Sequence, residues 1–156
     1  MTGIAALTVS LPLETIAPGT HLTTEGTRTG HLYILESGRL IVTRGGVTLA
    51  TIDQPGAIIG EMAVLLGTPH SATVEAESEC QVRVLADAVD ALTQYPELLL
   101  HIATIACARL DTTSALLVEL QHQATDQPRE QALVRRILGA LTALPRGSRG
   151  NWVDHE

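Results

Sequence analysis

The chain has 156 residues, 45% of them apolar and 17% charged, which is enough for one domain with a real core and a helical extension and argues against a disordered chain. A net charge of -7 argues against non-specific nucleic-acid binding, because phosphate neutralisation dominates that affinity. No stretch approaches the ~20 consecutive apolar residues of a membrane-spanning helix, so no membrane association is expected.

The N-terminus has neither a basic segment nor a sustained apolar run, so no signal peptide is read and a cytoplasmic location is expected. Residues 20 to 85 are rich in β signals. His31 to Ser37 and Arg39 to Arg44 are read as strands separated by a turn at Gly38. Gly45-Gly46 is a hairpin signal, Val47 to Ile52 returns, and Asp53 to Gly56 is a turn. Gly60 to Val74, GEMAVLLGTPHSATV, reads as a short helical turn, a tight turn and a strand. Glu79 to Leu85 alternates again. Short strands at this spacing predict a jelly roll or barrel and not a βαβ unit.

From Asp87 the signal turns helical. Asp87 to Gln94 is a short helix stopped at Tyr95-Pro96, since the residue before proline resists the α region. Pro96 fits the first turn of a new helix running from Glu97 to about Gln123, roughly 40 Å long. Its apolar seam places Leu99, Ala106, Thr113 and Leu120 seven apart, with Ile102, Leu110 and Leu117 interleaved. That coiled-coil-like stripe predicts a helix pairing with its twin in a homodimer, interrupted by one polar residue, Thr113. Packing along its own barrel is the alternative. Asp126 to Pro128 breaks the helix, and Arg129 to Leu144 is a second amphipathic helix with Leu133, Ile137, Leu141 and Leu144 on one stripe. Pro145 to Glu156 reads as a loose tail. The domain boundaries are 1–123 and 124–156.

The segment Gly60 to Val74 suits a sugar-phosphate. Glu61 can accept hydrogen bonds from a ribose hydroxyl, while the amides of Gly60, Glu61, Met62 and Ala63 and the Ser71 hydroxyl, flanked by Ala72, can donate to phosphate oxygens. His70 stands where a cation would neutralise the phosphate. All ten basic residues are Arg, which is read as base-composition bias. Cys80 and Cys107 lack metal-type spacing and read as buried thiols. The six His (21, 31, 70, 101, 122, 155) show no short-range ligand motif, and no nucleophilic triad is visible, so neither a metal site nor an enzyme is expected.

The strands, the Gly60-Glu61-Met62-Ala63 … His70-Ser71-Ala72-Thr73-Val74 cassette and the long helix together resemble the cyclic nucleotide-binding domain of the catabolite-activator (Crp–Fnr) family, over about residues 15 to 122. A second similarity is Arg109-Leu110-Asp111-Thr112-Thr113-Ser114, like the Arg-Leu-x-x-Thr-Ser run of the cAMP-dependent activators. The resemblance implies a mainly β fold with α, an antiparallel β-roll/jelly-roll barrel followed by a long dimerisation helix and a short extra helix. It also implies a pocket in which Glu61 takes the ribose, Ser71 and the nearby amides the cyclic phosphate, and Thr113 and Ser114 the adenine, with Ser114 reaching across a dimer. Two departures stand out. The family's phosphate arginine is His70 here. Only 36 residues follow Leu120, with no recognition-helix pattern, so no DNA-binding domain is expected.

The leading expectation is therefore a regulatory module, a homodimer that binds a cyclic mononucleotide, cAMP foremost, and signals through its C-terminal helices. The alternative is a degenerate fold that no longer binds nucleotide and serves protein interaction or oligomerisation, with residues 129–144 docking a partner. If a charged His70 contacts phosphate, affinity should strengthen as the pH falls from about 8 to 6.

Overall fold

A computed structural model describes residues 4–123 and 128–142. Contacts divide the chain into two units, one ending at His101 and one beginning at Ile102, a boundary that falls inside the long helix.

The first unit opens with helix α1 (Ile4–Thr8) and strands β1 (Leu13–Ile16) and β2 (His21–Thr23). It continues through β3 (Leu32–Ser37), β4 (Leu40–Arg44), β5 (Val47–Ile52) and β6 (Ile58–Ile59). Helix α2 (Glu61–Leu66), strands β7 (Thr73–Ala76) and β8 (Cys80–Leu85) and helix α3 (Ala88–Gln94) follow. The strands form two four-stranded antiparallel sheets, ordered β1-β8-β3-β6 and β2-β7-β4-β5. The antiparallel β fold expected from sequence is present, built as two sheets that share a core and not as one closed barrel.

Alternation explains the core. On β3, Tyr33 and Leu35 face the other sheet and join Ile59, Cys80 and Val82 of their own sheet with Leu22, Leu40, Val74 and Ala76 of the other. Leu32 and Ile34 are equally buried on the opposite face of the same strand. Strand β3 is thus covered on both sides and reads as an apolar run more than as clean alternation. That is why His31 to Ser37 alternates only partly in sequence. Strands β1, β2 and β6 escape sequence reading because they are two to four residues long, too short for a period to register.

Helix α4 (Pro96–Gln123) begins at Pro96 as the sequence requires, with the Tyr95 carbonyl accepting from the amides of Leu98 and Leu99. In the second unit, Ile102 and Leu117 are buried, whereas Leu110, Leu116 and Leu120 are exposed. On helix α5 (Pro128–Thr142) Val134 is buried, and Leu133 and Ile137, two residues of the apolar stripe read from sequence, are exposed. Of the helix break expected over Asp126 to Pro128, positions 126 and 127, with Leu144 and the tail, lie outside the described residues.

Candidate functional site

The cassette folds as a helix, a tight turn and a strand. Gly60 precedes α2 with φ 92°, a left-handed conformation, and a Cβ there would lie 2.8 Å from the His31 carbonyl oxygen. Only glycine meets both conditions. Gly67 closes α2, its amide and that of Thr68 both donating to the Ala63 carbonyl. Val64 is the residue of α2 that anchors it in the core, and Met62 beside it is half exposed.

The turn that follows is laced to the loop between β2 and β3. The His70 amide donates to the Thr27 carbonyl at 2.8 Å, and the Gly26 amide donates to the His70 carbonyl at 2.9 Å. Further along, the Glu25 amide donates to Thr73 Oγ1 at 3.0 Å, and the buried Thr23 hydroxyl donates to the Ala72 carbonyl at 3.1 Å. Thr73, one of the two small hydroxyls of the cassette, is therefore committed to holding this loop. Ser71, the other, is half-buried and makes no side-chain hydrogen bond within the described residues.

His70 is only 4% exposed, its Nε2 lies 2.9 Å from Thr29 Oγ1, and its Cε1 faces Gly60. Burial lowers its pKa below the ordinary histidine value. The imidazole that stands where sequence would put a phosphate-neutralising cation is desolvated and engaged with a threonine. Thr29 and the 27–31 segment are what sequence reading missed. The only signal for them was the density of Thr and Gly between two strands, which marks a loop without saying what it packs on.

Gly60, Glu61, Met62 and Ala63 are thus brought together with His70, Ser71 and Ala72. Thr113 and Ser114 belong to the second unit. Their hydroxyls donate to the carbonyls of Arg109 and Leu110, each at 2.7 Å, one turn back on α4. Thr113 also lines an open groove of about 380 Å³ with Ile105, Ala108, Arg109 and Thr112. Among the described residues, no group of three His, Cys, Asp or Glu is placed to hold a metal ion, and no helix is long and apolar enough to cross a membrane.

The cyclic nucleotide-binding domain profile matches residues 13–93, which take in every strand of the roll, the cassette and almost all of α3. The chain belongs to that family. Across its length this cyclic nucleotide-binding domain is 26% identical over 145 residues to the potassium/sodium hyperpolarization-activated cyclic nucleotide-gated channel 2 of Mus musculus, covering 86% of the chain and 17% of the channel. It is 37% identical over 78 residues to the cAMP-dependent protein kinase regulatory subunit of Yarrowia lipolytica, covering 49% of the chain and 20% of the subunit. The domain therefore spans a fifth or less of the length of these relatives. Its fold is shared with the catabolite activator protein of Thermus thermophilus, at 21% identity and a TM-score of 0.64, over 88% of this chain and 81% of that one.

Proposed function

We propose that this domain is a regulatory, non-catalytic module that binds a cyclic mononucleotide, cAMP foremost, at the cassette. The observation that carries the reading is the folded cassette itself. Gly60 is held at positive φ against His31, Glu61 opens the helical turn, and Ser71 has its hydroxyl uncommitted in the turn before β7. Glu61 takes the ribose hydroxyl and Ser71 a phosphate oxygen, and Thr113 and Ser114 are assigned to the adenine on sequence grounds. The exposed leucines of α4 support a homodimer, and α5 is assigned to a protein partner. The signal is a reorientation of α4, driven by a ligand that contacts two states unequally.

Isothermal titration calorimetry with cAMP, cGMP and a cyclic dinucleotide tests this. Saturable heat with a mononucleotide, at a dissociation constant below the millimolar range, is expected. No heat and no thermal shift at millimolar ligand would sink the reading.

The second reading, a fold that has lost its ligand and serves interaction alone, is favoured by one observation, the burial of His70 against Thr29. Nucleotide absorbance in the purified protein counts against it.

A further inference from the structure

A cyclic phosphodiester brings one negative charge to a cassette that already contains Glu61. The imidazole nearest the turn is buried and bonded to Thr29, so the balancing positive charge has to come from elsewhere. Within the roll, Arg83 is taken, with Nε 2.9 Å from Glu36 and Nη1 donating to the carbonyls of Val9 and Leu11. Arg39 faces Glu77 at 3.4 Å. Arg44 ends β4 at a hairpin and is exposed without a carboxylate of the described residues in ion-pair distance, but no side-chain hydrogen bond among the described residues ties it to the cassette.

Arg28 is different. It is exposed, no carboxylate of the described residues lies within ion-pair distance, and its one hydrogen bond runs from Nη1 to the Gly67 carbonyl at 2.7 Å. Its backbone is fixed on both sides by the cassette. Thr27 accepts from the His70 amide, Thr29 meets the His70 ring, and the His31 carbonyl abuts Gly60. The segment carrying Arg28 thus runs alongside the cassette from its turn to its first glycine. Gly67 stands at the far end of α2, which is six residues and about 9 Å long, within the sweep of an arginine stem. A carbonyl at a helix C-terminus is a favourable but neutral station for a guanidinium. A phosphodiester offers two anionic oxygens to the same fork.

We propose that Arg28 is the phosphate-binding cation of this site, resting on the Gly67 carbonyl in the free domain and turning onto the phosphodiester when a cyclic nucleotide enters. His70 is then a positioning residue that pins the 27–31 segment through Thr29 and the Thr27 carbonyl. The inference rests on the nucleotide reading above and adds the residue that supplies its charge.

The test is calorimetric titration of cAMP and cGMP into the full chain and its Arg28→Gln, Arg28→Lys and Arg44→Gln variants, at low and high salt. Arg28→Gln should bind the preferred nucleotide about tenfold to hundredfold more weakly, Arg28→Lys should retain part of that loss, and Arg44→Gln should match the parent. The parent's affinity should weaken with salt more steeply than that of Arg28→Gln. If the parent binds and Arg28→Gln binds equally well with the same salt dependence, the assignment of Arg28 is overturned while the nucleotide reading stands. If the parent gives no heat with either nucleotide, the nucleotide reading itself falls and Arg28 with it. Circular dichroism melting of each variant separates lost affinity from lost fold, and the exposure of Arg28 predicts that all three fold.

Discussion

At position 70 the requirements of packing and of charge oppose one another. A buried imidazole whose ring nitrogen meets Thr29 Oγ1 at 2.9 Å is favoured neutral, and burial lowers its pKa. The unfolded chain, with its ordinary histidine value near 6.5, therefore takes up the proton before the folded chain does as the pH falls. The contribution to stability is complete above that value and is lost as the pH falls through the lower folded value. We expect the urea midpoint to drop between pH 7 and pH 5, and His70→Gln, which can keep a bond to Thr29, to reduce that slope. An unchanged slope would remove His70 from the acid sensitivity. The same environment bears on binding. Stronger affinity between pH 8 and 6 requires a charged imidazole on the ligand, whereas a desolvated one predicts a dissociation constant that does not improve with acid over that range.

At the scale of elements, the corner between β3 and β4 carries the tightest steric demand. Gly38 has φ 98°, and a Cβ there would overlap the Glu79 carbonyl and lie 2.6 Å from the Cys80 Sγ. The obstructing atoms are the start of β8, which pairs with both β1 and β3 and so cannot retreat cheaply. Gly38→Ala should cost about 2–4 kcal/mol in urea unfolding, and a change below about 0.5 kcal/mol would mean that this corner yields. The hairpins and long helices were legible in sequence because their signals are local. Gly45-Gly46 supplies the turn between β4 and β5, and Pro96 sets the start of α4. Which face of α5 is covered was not legible, because periodicity says which residues share a face, while what lies opposite decides which face is covered. There Val134 is buried and Leu133 is not.

For the molecule as a whole, the long seam of α4 raises the question of assembly. Of its residues, Ile102 and Leu117 are buried within the chain, while Leu110 and Leu120 are 45% and 52% exposed, apolar surface that water disfavours. The dimer proposed above would cover it. The chain should sediment as a dimer, and Leu110→Glu with Leu120→Glu should shift it to monomer while leaving its helical circular dichroism intact. A parent that sediments as a monomer at every concentration tested would remove the dimer.

The residues alone determined the roll, the helical extension and the cassette, since each is encoded by turn glycines, by period and by an ordered motif within some fifteen residues. They also exposed the weak position, His70, because a missing permanent cation is visible in one letter. What the tertiary structure alone decided is where that histidine points and what stands beside it. Thr29 lies 41 positions from His70 and Arg28 lies 39 from Gly67, and no local pattern links such pairs. They meet because β2 pairs with β7, which carries the loop after β2 onto the turn before β7. Strand pairing across that distance is a property of the whole sheet, so the partners of the cassette could be read only once the sheet was in hand.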